Sequence, residues 1–537
     1  MNMDLKPQPQ SPYFRIVILA GAFLAVLSYW RYVQSPPSVS SQSPPARSGI
    51  TVPQEFKRGE ELSKVVCSSC HIYPEPELMD KVTWGMMVLP HMALKLGFYD
   101  GRYEDLGLES RVVEAGIIPR KPIITVEDWR AICSYYLASA PIELAQPPQP
   151  EIEVGLKAFE LIQPNFKGVG MTTMVRIDPV HHEIYLGERM TNTLIALDQT
   201  GKLLRQIKLD SPPVDMTFRT NGSFITLIGS YSPSDELQGK LVWLGTANAT
   251  GKSDYQEILT PLPRPVKSIF ADLNQDGRED ILVCGFGNML GRLAWYENTG
   301  EVFKEHVLLD QPGAIMAQLH DFNHDGRLDV IVMMAQAREG IFILFNQGNG
   351  QFSAPQPVAE YQPAWGSSGF ELVDFNHDGY MDILATNGDN GDNTGYLPPF
   401  KPYHGIRLYL NDGKNHFKEA WFFQMNGAYK AVARDFDGDG DLDIAAISFY
   451  PDYRRNRFEN FVYLENLGNM KFKPRSFEES LSGRWITMDV NDLDGDGKPD
   501  IVLGSMQFGP TLVPHGLQEY WATNGPTLLI LKNKGKQ

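Results

Sequence analysis

Apolar positions along the 537-residue chain follow three patterns. Ile16–Trp30 is an apolar run broken only by Gly21 and Ser28, with Arg15 before it and Arg31 after it. Arg58–Val66 has helical spacing, and Thr125 to Leu137 reads as a second helix with Thr125 as N-cap and Asp128 at the capping-box position. From about Ile177 onward, short strand-like runs such as Ile281-Leu282-Val283 and Ile444-Ala445-Ala446 alternate with Asp- and Gly-rich turns. This plan predicts a multidomain chain. It has an N-terminal transmembrane anchor over 1–34, a Ser/Pro-rich tether over 35–54 and a small all-α domain over 55–142. A Pro-rich linker over 143–155 then leads to an all-β domain over 156–537.

Fifteen apolar residues are fewer than the roughly 20 that span a bilayer. Tyr13, Phe14, Tyr29, Trp30 and Tyr32 supply interfacial aromatics, and the flanking arginines can snorkel, which extends the usable length. Tyr29–Tyr32 is a poor cleavage region, and the small-x-small triplet Ser38-Val39-Ser40 lies far downstream. The expectation is an uncleaved single-pass anchor in a bacterial-type membrane, with a cleaved signal as the alternative. Either places the folded part on the periplasmic or extracytoplasmic side.

Four cysteines occur, and two of them form Cys67-Ser68-Ser69-Cys70-His71. C-x-x-C-H is the attachment spacing for one covalent haem c, with His71 as proximal iron ligand. A zinc site would need a second ligand pair, and none is near. A thioredoxin-type motif would follow a strand, and this one follows a helix. Cys133 and Cys284 have no obvious partner and read as buried thiols. The segment from about Phe56 to Ala140 resembles a class I cytochrome c domain. The resemblance implies that the helix carrying Gly59 is crossed by the C-terminal helix through Trp129, Tyr135 and Tyr136. It also implies a carbonyl from Pro74 or Pro76 on the proximal imidazole. Val88-Leu89-Pro90-His91-Met92 is similar to that family's Pro-then-Met ligand loop. This makes Met92 the expected distal ligand, with Met87, Met86 and His91 as alternatives; the 21-residue separation from His71 is short for the family.

The second half repeats an acidic phrase five times, with starts 49, 53, 61 and 57 residues apart. Its oxygen-bearing positions are Asp272, Asn274, Asp276 and Asp280; Asp321, Asn323, Asp325 and Asp329; and Asp374, Asn376, Asp378 and Asp382. The last two sets are Asp435, Asp437, Asp439 and Asp443, and Asp492, Asp494, Asp496 and Asp500. Oxygens at positions 1, 3, 5 and 9, a carbonyl at 7 and a Gly at 6 suit Ca²⁺, as in the first half of an EF-hand loop. The EF-hand itself is excluded, because position 12 is Val283, Val332, Ala385, Ala446 or Leu503 rather than Glu. Up to five Ca²⁺ are expected. The three sites with Asn at position 3 carry less ligand charge and should bind more weakly.

These repeats resemble the FG-GAP/VCBS family of calcium-loop propellers, which implies four-stranded blades with the loop joining the inner two strands. Counting two degenerate blades, at Met174–Gly187 and Val214–Leu227, gives seven, with six or eight as alternatives. The last blade lacks one strand, which Phe159–Ile162 could supply to close the ring. The fold expected overall is therefore a membrane helix, an all-α cytochrome c domain and a seven-bladed all-β propeller with calcium loops.

The net charge of −17 excludes a nucleic-acid binder, which needs a basic face. The five loops hold 19 acidic residues against Arg278, Arg327 and Lys498, so nearly all of the imbalance sits there. Three long segments, 387–404, 450–459 and 507–524, emerge on the opposite face. They carry Asn390, Asp392, Tyr396, Tyr403, His404, Tyr453, Arg454, Arg455, His515, Tyr520 and Trp521, with Trp365–Gly369 nearby. They read equally as a binding surface or as a docking platform for the haem domain. The function expected is single-electron transfer, with a redox partner protein or membrane electron-transfer chain. A carbohydrate or other small substrate at the propeller face is a further possible partner. One alternative makes the propeller an oxidoreductase that feeds the haem; another makes it a non-catalytic adhesion or glycan-binding module.

Overall fold

The computed structural model describes residues 54–245, 255–391, 400–507 and 513–535. The apolar run Ile16–Trp30 lies outside the described residues, and no helix among them is long and apolar enough to cross a membrane.

Residues 54–139 form short helices around two apolar clusters, the second of which takes in Met289 and Leu290 of the propeller. Helix Gln54–Val66 crosses helix Val126–Ser139 at Gly59, where a Cβ would run into the Ala131 carbonyl. Thr125 caps the second helix as the sequence predicts, its hydroxyl accepting from Asp128 N at 3.1 Å. Trp84, Trp129, Ile132 and Tyr136 are buried between the helices.

One expectation fails in this region. The phrase around Met92 is not a loop but the helix Leu89–Lys95, which continues from a π turn at Trp84–Val88. Pro90 has no N–H to donate to the preceding turn. The ladder shifts by one residue before it, with Leu89 N–H reaching Trp84 O, and the helix runs on.

The β region is a seven-bladed propeller. Each blade is a four-stranded antiparallel sheet, with its strands ordered from the axis outward. The first strands of successive blades touch in order, and that of the seventh meets that of the first. Second strands such as Asp329–Met334 and Asp443–Ser448 are buried throughout, which explains their uninterrupted apolar sequence. All seven blades carry a register shift near the start of the first strand. Such a bulge bends the strand and re-aims the extra residue. Phe159–Ile162 pairs antiparallel with Leu528–Asn533 and closes the ring, as the strand count predicts. Before it, Glu153–Val154 adds a parallel fifth strand to blade six.

The helices sit on the propeller face opposite the acidic loops. Glu109 accepts from Ser234 Oγ at 2.8 Å and from Asp235 N, and Arg111 donates to Asp235 O. The Asp235 carboxylate accepts from the backbone N–H groups of Asn288, Met289 and Leu290 at 2.7–3.0 Å. Tyr403 donates its hydroxyl to Leu78 O at 2.8 Å, and Ala364 and Tyr403 join the helical core. Gln149 in the linker donates to the buried Glu459 at 3.0 Å.

Gly59→Ala should therefore separate the two crossing helices. Overpacking at such a contact costs about 1–3 kcal/mol. Hydrogen exchange should rise across 54–66 and 126–139 while the propeller strands stay protected. Unchanged exchange in both helices would contradict the crossing.

Candidate functional site

The five acidic loops join the first and second strands of blades three to seven. The position-1 carboxylate turns each loop onto itself. Asp272 accepts from Asp276 N at 3.0 Å and Gly277 N at 2.8 Å, and Asp321, Asp374, Asp435 and Asp492 take the same pair. Position 3 (Asn274, Asn323, Asn376, Asp437 and Asp494) accepts from the position-5 N–H. Position 5 (Asp276, Asp325, Asp378, Asp439 and Asp496) accepts from the position-7 N–H. The position-6 glycines have φ between 81° and 96° with nothing within 4 Å of a Cβ, so conformation rather than space requires glycine.

Position 9 behaves differently. Asp280, Asp329, Asp382, Asp443 and Asp500 are buried. One oxygen of each accepts from the position-2 N–H: Leu273, Phe322, Phe375, Phe436 and Leu493 at 2.9–3.3 Å. The other accepts from an asparagine N–H at the end of the third strand: Asn298, Asn346, Asn411, Asn466 and Asn533 at 2.7–2.8 Å. Each of these asparagines also donates its Nδ2 to the position-8 carbonyl and accepts from a glycine two residues on. Some ties reach the preceding blade: Asn346 Nδ2 to Leu273 O at 2.9 Å, and Asn533 Nδ2 to Phe436 O at 2.8 Å. The sequence reading missed this set. Its signal is Asn-x-Gly, which follows every acidic loop.

In blade six, ligand oxygens of Asp435, Asp437 and Asp443 lie within 4.8 Å of one another, as do those of Asp492, Asp494 and Asp500 in blade seven. An all-oxygen set of this density suits a hard divalent cation. Burial first, then the neighbouring carboxylates, holds all five position-9 groups above the usual carboxylate range. Asp443 and Asp500 reach about 6. Position-12 residues Val283, Val332, Ala385, Ala446 and Leu503 are buried strand residues, which agrees with a loop that runs into a strand.

The second candidate group is at the end of helix Gln54–Val66. Neither Cys67 nor Cys70 is in a disulfide. Burial pushes the Cys67 thiol up, against a hydrogen bond with Tyr136. Cys70 is exposed. His71 Nδ1 donates to Ile72 O at 2.8 Å, which leaves Nε2 with its lone pair. The carbonyls of Pro74 and Pro76 do not reach this ring. Tyr136 Oη takes the first and Trp84 Nε1 the second, both at 2.8 Å. Met92 is half-buried and packs on the same apolar cluster as Cys67 and Tyr73. Met86 is exposed, Met87 is half-buried, and the exposed His91 holds Met87 O through Nδ1 at 2.9 Å. Lys95, on the helix of Met92, lies within electrostatic reach of both Cys70 and Asp235. Cys133 and Cys284 are buried, as expected.

The long segments are mostly packing elements. Tyr403 docks the helices, while His404, Tyr453, Trp521 and Asn390 are buried. Residues 515–524 form a helix rather than an open loop. Arg454, Arg455, His515 and Tyr520 remain exposed; Asp392 and Tyr396 lie outside the described residues.

Residues 272–332, 321–385 and 435–503 match the FG-GAP-like repeat, and all five acidic loops fall within these stretches. The chain thus carries FG-GAP-like repeats on a seven-bladed propeller. Among solved structures, the Neurospora crassa Pan2 WD40 domain is 12% identical over 68% of this chain and 90% of its own, with a TM-score of 0.42. BBS1N in complex with ARL6DN is 9% identical over 71% and 97%, with a TM-score of 0.43. The propeller domain of Cps50 (Swd1) from Myceliophteria thermophila is 10% identical over 69% and 99%, with a TM-score of 0.41. No curated protein matches the chain.

The raised carboxylates set a pH dependence. A carboxyl with a higher pKa folded than unfolded favours the folded state only while protonated. In chelator, the contribution of Asp443 and Asp500 should be present below about pH 4 and lost as pH rises through about 6. Asp500→Ala should strand the N–H groups of Leu493 and Asn533, at about 1–3 kcal/mol each. Its melting temperature should fall well below that of Gln275→Ala; equal values would refute the tie.

Proposed function

We propose that the chain is an exported, membrane-anchored c-type cytochrome that transfers single electrons, with a propeller that binds calcium and receives the redox partner or a small substrate. The placement of Cys67, Cys70 and His71 carries this reading. Two thiols outside any disulfide and an imidazole with a free Nε2 follow a helix that is crossed at Gly59. Haem c, when bound, supplies a one-electron iron couple. Cys67 and Cys70 would hold it through thioether bonds, and His71 Nε2 would face the iron. The donor set fits, since Tyr73, Val88, Met92, Leu96 and Phe98 offer apolar lining in the same cluster. Of the four candidate distal ligands, Met92 is favoured because it packs on that cluster, whereas Met86 and His91 are exposed.

Calcium is the cation that the five loops suit best, because every donor is oxygen and the loop geometry repeats in register. The anchor over 1–34 and the export it implies rest on the sequence pattern. A redox protein or membrane electron-transfer chain is the proposed partner. A second reading, in which the propeller oxidises a carbohydrate or other small substrate and reduces the haem, draws support from the helices standing on the face of the long segments, near Asp235.

Protein purified from a host that matures c-type cytochromes should show the reduced-minus-oxidised spectrum of a low-spin haem c. Cys70→Ala should abolish the two-thioether attachment. Haem-free protein from such a host would overturn the proposal. Haem reduction by a sugar or alcohol would favour the second reading. EDTA should lower the propeller's melting temperature, with recovery on Ca²⁺ but not on Na⁺ at equal ionic strength; no change in EDTA would exclude calcium from the loops.

A further inference from the structure

Two arginines are buried on the face that carries the helices, and they are served differently. Arg407 lies between the rings of Trp365 and Phe422, with its guanidinium carbon 4.1 and 4.2 Å from their centroids. It pairs with Glu419 at 3.2 Å and donates to Asn387 Oδ1 and Tyr403 O. Arg484 is 1% exposed and lies 3.7 Å over Phe449. Its Nε donates to Phe449 O at 3.0 Å, but Nη2 has no partner, and among the described residues no carboxylate lies within ion-pair distance. The hydroxyl of Tyr453, a residue 8% exposed, is likewise buried without a partner. Tyr453 and Tyr450 are the groups within electrostatic reach of Arg484. The carboxylate next along, Glu459, is taken up by Asn426, Asp452 N and Gln149. Burial draws the guanidinium down to about 10, so it stays cationic at neutral pH.

An unpaired buried charge is strongly unfavourable, and a buried guanidinium fork is shaped for two parallel oxygens. Phe449, Tyr450 and Met506 form one cluster with the partly buried Tyr231 and Tyr429, which come from blades two and six. The bulge in the first strand of blade six is what aims Tyr429 there.

We propose that Arg484 and Tyr453 form a binding site for a small-molecule carboxylate. Arg484 supplies the paired donors, the Tyr453 hydroxyl a third, and Phe449 and Tyr450 the apolar walls. A single guanidinium matches a monoanion rather than a phosphate dianion. The site does not rest on the haem reading, since none of its residues belongs to the helical segment.

The test is a titration of the full calcium-loaded chain with sodium acetate, against sodium chloride at equal ionic strength. Acetate should raise the melting temperature saturably. Arg484→Met should abolish that response and melt several degrees higher than wild type in chloride, because the uncompensated charge is gone. Tyr453→Phe should weaken acetate at least threefold. No saturable effect of acetate, or an equal response in Arg484→Met, would overturn the site. Should Arg484→Met not fold, Tyr453→Phe decides, and unchanged acetate affinity there refutes the proposal.

Discussion

The buried aspartate at the ninth position of each acidic loop is the tie on which the ring depends. It holds three things at once: the start of the second strand, the turn that follows the first, and the asparagine that ends the third. A carboxylate in that place is costly to bury and more costly to leave without its N–H partners. It also stands beside two or three other carboxylates, so the tie is electrostatically strained unless a cation shares the loop. Fold and the proposed metal chemistry thus share the same nine residues. The chain's acidity is local in consequence, and it is not a field spread over the surface.

Ring closure places the rest. Phe159–Ile162 must reach the last blade, and Glu153–Val154 runs along blade six, so the chain before them is held close to blades five to seven. The helices are fixed on the face away from the acidic loops, through Glu109, Arg111 and Asp235 on one side and Tyr403 on the other. One face therefore carries the acidic loops, the proposed cation sites. The other carries the helices, with Cys67, Cys70 and His71 among them.

Much of this was legible because it repeats. Five loops in register disclosed the blades, and the missing last strand pointed to Phe159–Ile162. Gly59 disclosed the crossing because only a residue without Cβ allows such approach. What was not legible depended on single contacts. Pro90 read as a loop signal, but a π turn absorbs its missing N–H and keeps Met92 helical. The prolyl carbonyls meant for His71 are taken by Tyr136 and Trp84, and no spacing rule records that competition. The long segments looked like open loops because they are rich in Tyr, Asn and Arg, yet Asn390, Tyr403 and Tyr453 are taken up in packing while Arg454, Arg455 and Tyr520 stay exposed. Asn-x-Gly was visible after every acidic loop and was passed over, since an isolated Asn-x-Gly is an ordinary turn.

The proposed arrangement puts a haem on one face of the molecule and cations on the other. It is tested most directly by pulsed-EPR distances between the ferric haem and Gd³⁺ exchanged into the acidic loops. The account predicts narrow distributions at separations that span the disc, lost in Asp500→Ala for the blade-seven loop alone. Broad distributions, separations shorter than the disc, or the absence of either paramagnetic centre would contradict it.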